Sequence, residues 1–160
     1  MSKRIISFFL IFSSLVMLSA CRDKRGYLEL GLEIPDTYRE KNTEDTFDAA
    51  YSDGVAVIGI IRLSFQAAID DGIVETYSPE GFAKYYKNRI GKSECEIKFS
   101  GDAPYIVYEE GEEIPYSYLT SFYRTRYAYF VVTFVTESVV FSDYEAEFIE
   151  IAGSAYLDYE

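Results

Sequence analysis

The sequence predicts an α+β domain in which a central antiparallel sheet of about six to seven strands has helices on both faces. The segment VAVIGII, residues 55–61, is apolar at every position, which is typical of a strand buried on both sides. The patterns follow the order strand, hairpin, one or two helices, a meander of about four strands, and helix. No linker, repeat or low-complexity run divides residues 26–160, so these patterns indicate one domain.

The first strands are predicted by period-two alternation and turn residues. In YLELGLEIP, four apolar side chains share one face, and Pro35 and Asp36 end the strand: Leu28, Leu30, Leu32 and Ile34. The following hairpin turns at Ser52-Asp53-Gly54. Its second strand is expected to bury both faces, Ile58 and Ile60 on one side and Val57 and Ile61 on the other.

Helix signals lie on either side of the predicted meander. Ser78 is suited to cap a helix, Pro79 to its first position and Gly91 to its end. Its apolar stripe is Phe82, Tyr85, Tyr86 and Ile90. The preceding segment SFQAAIDDG predicts a shorter helix. In the last helix Ser142 and Glu145 form a capping box, and its stripe is Tyr144, Phe148, Ile151, Ala152 and Ala155.

Between these helices, four segments predict the strands of the meander: CEIKFS, PYIVYEE, IPYSYLTSFYR and RYAYFVVTFVTES. EEGEE and RTR have the composition of hairpin connections. In the last strand Ala128, Phe130, Val132 and Phe134 share one face. Tyr127, Tyr129, Val131, Thr133 and Val135 share the other, so this strand is also expected to be covered on both sides.

The N-terminus carries the three parts of an export signal. Lys3 and Arg4 precede the apolar run IISFFLIFSSLVML, which is shorter than the roughly 20 residues of a membrane-spanning helix. The following LSAC resembles the lipobox of bacterial lipoproteins, which implies a signal peptide at 1–20 and lipidation of Cys21. A short basic tether at 21–26 and one domain at 27–160 would follow, anchored on the extracytoplasmic side. The alternative is an ordinary signal peptide with a chance cysteine.

The distribution of charge limits the classes of partner. The chain carries −12, and loss of Lys3 and Arg4 with the signal would leave −14. The tether residues 22–25 contribute +2, so the body carries −16. Such a body is repelled by nucleic acid and by anionic headgroups, which favours a basic protein or peptide. The tether itself either pairs with headgroups or is a soluble spacer.

Few residues suggest catalysis, and the sequence predicts no cofactor and no metal. The chain has no histidine, which excludes His-dependent nucleophiles and imidazole metal sites. Cys95 is predicted to be a small core residue rather than a nucleophile. The acidic turn Glu109, Glu110, Glu112 and Glu113 is predicted to be exposed and solvated, with a cation site as the alternative. The alternative function is a small cell-surface enzyme acting on glycans or peptides through carboxylates.

Tyrosines are concentrated in the meander. They favour either packing at the edge of the core or a partner surface, for which the candidates are Tyr116, Tyr118, Tyr127 and Tyr129. The five tether residues 22–26 reach at most about 17 Å. The body must therefore stay close to the bilayer, and its acidic turn is expected to point away from the membrane.

The order of elements resembles the PsbP/Mog-like sandwich family. The resemblance rests on LEIPDTY, FDAAYSDGVAVIGI, SPEGFAKYY, YAYFVVTFV and YEAEFIEIAGSAY, which together span nearly the whole chain after the signal. The family includes a photosystem II extrinsic subunit, a nuclear-import regulator that binds Ran, and many bacterial lipoproteins. The resemblance implies a non-catalytic binding or assembly role without naming a partner.

Overall fold

A computed structural model describes residues 30–43, 47–73 and 77–157. Its strands are β1 Leu30–Gly31, β2 Arg39–Glu40, β3 Ala49–Ser52, β4 Val57–Ser64, β5 Lys98–Ser100, β6 Ala103–Glu110, β7 Tyr116–Arg124, β8 Ala128–Glu137 and β9 Tyr156–Leu157. Seven of them form one antiparallel sheet in the order β2-β3-β4-β8-β7-β6-β5. The other two, β1 and β9, form a separate antiparallel pair.

Helices cover both faces of this sheet. They are α1 Phe65–Asp70, α2 Pro79–Arg89 and α3 Phe141–Gly153, and a 3₁₀ helix at Ser138–Val140 leads directly into α3. The predicted α+β class is therefore confirmed: the expected antiparallel sheet of about six to seven strands has seven.

The centre of the sheet is the pairing of β4 with β8, which joins segments far apart in the chain. Ile58 lies opposite Phe134 and Ile60 opposite Val132, all four on the face that α3 covers. The ring of Phe134 lies 5.2 Å from that of Phe148 in α3. Burial of this paired apolar surface explains why these two strongly apolar strands lie at the centre of the sheet.

The opposite face is closed mainly by α2. Its cap is the predicted one, because the Ser78 side chain accepts a hydrogen bond from the Gly81 backbone N–H. Phe82 and Tyr86 are buried and contact the ring of Phe122 on β7 edge to face, with centroids 5.5 and 5.1 Å apart. The alternating side chains of β8 therefore contribute to two separate hydrophobic cores, one on each side of the sheet.

Several local predictions are corrected by the structure. The segment predicted as the first strand pairs only at Leu30–Gly31 and lies outside the main sheet, although Leu32 and Ile34 do pack on the α3 face. Val57 and Ile61 are only partly buried, because α2 packs on β6 and β7 rather than on β4. Leu28 lies outside the described residues.

The start of α3 and the first meander strand also differ from prediction. The 3₁₀ helix continues into α3, so the helix begins at Phe141 after Val140 and no side chain caps it. Ser142 is therefore inside the first turn, and the predicted capping box with Glu145 is wrong. The strand expected over CEIKFS is limited to β5.

Candidate binding surface

Three connections meet at one end of the sheet, which we call the acidic end. They are the β3–β4 turn Asp53–Ala56, the β6–β7 turn Gly111–Pro115, and the 3₁₀ helix Ser138–Val140. The strand register brings them together, because Val57 pairs with Val135 and Tyr116 with Glu137. The Ser138 backbone N–H donates to the Pro115 carbonyl at 2.9 Å, which ties the second connection to the third.

Asp53 organises the β3–β4 turn. Its Oδ1 accepts hydrogen bonds from the backbone N–H groups of Val55 and Ala56, each at 2.8 Å, and Gly54 supplies the positive φ that the turn needs. Its Oδ2 accepts from the Tyr144 hydroxyl at 2.8 Å, which links the turn to α3. Partial burial alone would raise the pKa of Asp53, but these donors stabilise the anion and lower it overall.

The β6–β7 turn is shaped by Gly111. Its φ is +112°, and a Cβ built there would lie 2.3 Å from the Ile114 carbonyl oxygen, so the turn requires glycine. The Glu109 carboxylate accepts from the Ser117 hydroxyl at 3.1 Å, and the same hydroxyl lies 2.8 Å from that of Ser138. These contacts hold the acidic turn against the start of the 3₁₀ helix.

The four predicted glutamates differ in environment. Glu109, Glu112 and Glu113 are exposed, whereas Glu110 is half-buried. Burial raises the pKa of Glu110, and the nearby Lys92 ammonium partly offsets this. Lys92 also donates to the Glu109 carbonyl at 2.8 Å. Among residues 30–43, 47–73 and 77–157, no group of three or more Asp, Glu, Cys or His side chains is placed to hold a metal ion.

Exposed apolar side chains at the acidic end were missed by the sequence analysis. Val55, Ile114 and Val139 are 58, 42 and 80% exposed, one from each of the three connections. Val55 was predicted to begin a buried strand, and Val139 directly follows the last predicted strand of the meander. Only the turn geometry shows that both side chains point to solvent.

The four candidate surface tyrosines are not brought together. Tyr118 and Tyr129 are buried in the α2-side core, and the Tyr129 hydroxyl donates to the Tyr77 carbonyl at 3.0 Å. Burial removes these two from the predicted partner surface. Tyr116 is half-buried near the acidic end, whereas Tyr127 is 55% exposed in the β7–β8 turn at the opposite end. Pattern alone could not separate core tyrosines from surface ones, since the ring suits both places.

The buried tyrosines form a cluster under α2. The rings of Tyr108 and Tyr118 stack with centroids 5.0 Å apart, and the Lys92 ammonium lies 5.7 Å from the Tyr108 centroid. Burial raises the pKa of Tyr108 to about 12, and it also raises the pKa values of Tyr86 and Tyr118 above that of a free phenol. These phenols therefore stay neutral over the whole physiological range.

Cys95 is partly buried against this cluster. Burial raises the pKa of its thiol, and the neighbouring Glu94 carboxylate adds to the increase. A thiol held in its neutral form is a weak nucleophile. The environment is that of a packing residue, as the sequence analysis predicted.

The chain enters the described domain at the opposite end of the sheet. Leu30 pairs with Leu157, just after the C-terminus of α3. There the Tyr123 hydroxyl, near the end of β7, donates to the Ala152 carbonyl at 2.8 Å. The ten residues of β8 separate this end from the acidic end, which corresponds to about 30 Å. Arg124 at the end of β7 and Arg126 in the β7–β8 turn also lie at this end, and both are exposed.

The predicted lipobox, Cys21 and the tether 21–26 lie outside the described residues. Among the described helices, none combines the length and apolar character needed to cross a bilayer.

No protein-family model and no curated protein sequence matches the chain. Its fold, however, is similar to that of solved structures. PsbP (CyanoP) from the cyanobacterium Synechocystis aligns over 88% of this chain and 99% of its own, with a TM-score of 0.53 and 12% identity. The resemblance of this chain to PsbP is therefore confirmed at the level of the fold.

Two further structures share this architecture. LpqN of Mycobacterium tuberculosis, a protein involved in cell envelope biogenesis, aligns over 84% of this chain and 88% of its own, with a TM-score of 0.53 and 10% identity. A protein from Bacteroides thetaiotaomicron aligns over 82% of this chain, with a TM-score of 0.55 and 10% identity. This chain spans only 46% of that protein's length.

Proposed function

We propose that this protein is an exported, lipid-anchored lipoprotein that serves as a non-catalytic binding or assembly module. The observation that carries the proposal is that the chain enters the domain at one end, whereas the exposed apolar and acidic connections lie at the other. The chain that follows the predicted lipid anchor enters at Leu30, at the end of the sheet opposite the acidic end. An anchor on that side presents the exposed apolar and acidic connections away from the bilayer, where a partner has access to them.

Two further observations support an envelope location. The segment LSAC resembles the lipobox of bacterial lipoproteins, in which the cysteine thiol takes the lipid. LpqN, which shares the fold, is involved in cell envelope biogenesis. Arg124 and Arg126 lie at the end that would face the headgroups, and the tether proposed to lead to the anchor is itself basic. Each basic residue close to an anionic surface contributes about 1 kcal/mol of attraction.

Replacing Cys21 by serine is expected to abolish lipid attachment, because the hydroxyl cannot replace the sulfur that takes the diacylglycerol. The measurement is incorporation of labelled palmitate by cells that express the full chain, together with the share of protein in the membrane fraction. Loss of a lipid anchor converts stable membrane attachment into at most weak adsorption.

The matched control is Cys95→Ser, which replaces the same kind of side chain inside the domain. This variant should label and fractionate like the wild-type protein. If Cys21→Ser still incorporates palmitate and remains with the membrane, the lipid anchor is not at this cysteine and the proposal fails.

A further inference from the structure

We infer that the acidic end docks a segment of another protein in which apolar side chains alternate with lysine or arginine. This inference rests on the proposed function and adds the site and the chemistry of the partner. It starts from Val55, Ile114 and Val139, three exposed apolar side chains that the strand register brings to one end of the sheet. Exposed apolar side chains also lie at the opposite end, among them Phe99, Tyr127 and Tyr156, so exposure alone does not mark a docking surface. The acidic end differs because its three apolar side chains come from connections that also carry a concentration of carboxylates.

Charge identifies the kind of partner. The segments 53–56, 109–115 and 136–145 contain no lysine or arginine, and Lys92 reaches the surface from outside them, at Glu109 and Glu110. Their carboxylates are Asp53, Glu109, Glu110, Glu112, Glu113, Glu137, Asp143 and Glu145. A segment that places apolar groups on Val55, Ile114 and Val139 must bring its flanking residues close to these carboxylates. Cationic flanks are attracted there, whereas anionic lipid, nucleic acid and a second copy of this surface are repelled.

The surface is held in place before any partner arrives. The Ser117 hydroxyl contacts both the Glu109 carboxylate and the Ser138 hydroxyl, at 3.1 and 2.8 Å. Asp53 connects its turn to Tyr144 of α3 at 2.8 Å. Because these side chains fix the three connections relative to one another, little conformational entropy remains to be lost on binding.

Binding at this surface should depend on salt. The carboxylates are largely exposed, so their attraction for a cationic segment is screened as the Debye length falls from about 10 Å at 0.1 M salt to about 3 Å at 1 M. The apolar contacts persist at high salt. We therefore expect affinity to fall, but not to disappear, as ionic strength rises.

A defined probe tests the inference on the purified full-length chain. The probe is a water-soluble amphipathic peptide of lysine and leucine, and its counterpart contains glutamate in place of lysine. The lysine peptide should bind, and Glu112→Lys or the pair Ile114→Ser and Val139→Ser should each weaken its binding about tenfold. The glutamate peptide should not bind.

Two matched control variants distinguish binding at this surface from nonspecific hydrophobic adsorption and from an effect of net charge. Asp102→Lys makes the same change of charge in the β5–β6 turn at the opposite end, and Phe99→Ser removes an exposed apolar side chain on β5. Both variants should bind the lysine peptide as the wild-type chain does. Equal binding by all variants, or binding of the glutamate peptide, would overturn the inference.

A second measurement separates failure of this inference from failure of the proposed function. A photoreactive benzoylphenylalanine is placed at Ile114, Val139 or, as a control, Phe99 of the lipidated chain in its own cells. The inference predicts adducts from the first two positions, with a lysine- or arginine-rich protein segment at the linkage. Adducts from Phe99 alone would contradict the inference but leave the proposed binding role intact. Adducts to lipid or to a second copy of this chain would show that the partner is not a cationic protein segment. If no position gives a protein adduct, both the inference and the proposed binding role fail.

Discussion

Replacing Phe134 or Phe122 by alanine is expected to lower the free energy of unfolding by about 3–5 kcal/mol in each case. Both rings are fully buried, but on opposite faces of the sheet. Phe134 packs on Phe148 of α3, whereas Phe122 packs on Phe82 and Tyr86 of α2. Because a domain of this size is stable by only about 5–15 kcal/mol, either loss should bring the protein close to unfolding at ambient temperature.

Equilibrium unfolding in urea measures these losses, and Phe99→Ala is the matched control. It removes the same ring from a position that is 54% exposed, so its effect should stay within about 0.5 kcal/mol. A two-sided core requires large losses at both Phe134 and Phe122. If the loss of stability at Phe134 or Phe122 is as small as that at Phe99, the helix on that face of the sheet does not cover a hydrophobic core.

The second large effect is a loss of stability at alkaline pH. Burial raises the pKa of Tyr108 from the usual 10.0 to about 12, and it raises the pKa values of Tyr86, Tyr118 and Tyr123 as well. Below pH 10 these phenols are protonated in both states, and stability is fully present. Above pH 10 the unfolded chain releases these protons while the folded chain keeps them, so stability falls as pH rises. The shift of Tyr108 alone corresponds to about 3 kcal/mol, of which about 2 kcal/mol is lost between pH 10 and pH 12.

Urea unfolding at pH 8, 10 and 11 measures this slope, and phenolate absorbance reports when the tyrosines ionise. The Tyr108→Phe variant should lose less stability over this range than the wild-type protein, since it has one buried phenol fewer. Tyr127→Phe, at an exposed position, should leave the slope unchanged. A wild-type stability that does not fall between pH 8 and pH 11 would show that the tyrosines under α2 are open to solvent.

Local patterns predicted much of the fold because they report on burial and turn chemistry directly. The alternation along β8 requires two covered faces, and Ser78 with Pro79 marks a helix start whatever the surroundings. The pairing of Leu30 with Leu157 could not be predicted in this way, since it joins two short segments 127 residues apart. The start of α3 at Phe141 depends on the 3₁₀ helix before it, which leaves no separate signal in the sequence.

The candidate surface was predicted only in part. The glutamates around Gly111 identified an acidic turn, because a charged stretch around a glycine suits few other places. The exposure of Ile114 and Val139 was not predicted, because an apolar residue beside a strand is expected to be buried unless the geometry of the adjoining turn is known. Tyr118 and Tyr129 stayed candidates for a partner surface as well as for the core, because a tyrosine ring suits both environments.

The measurement that tests the central claim most directly is the depth of each end of the domain above a bilayer. Nitroxide labels are attached in the lipidated chain, in a Cys95→Ser background, at Glu112→Cys or at Tyr127→Cys. Gly111 is avoided because its backbone requires glycine. Collision with a lipid-soluble quencher should be stronger for the label at position 127, near the entry of the chain, than for the label at position 112. Stronger quenching at position 112 would place the acidic end against the membrane and contradict the proposed orientation.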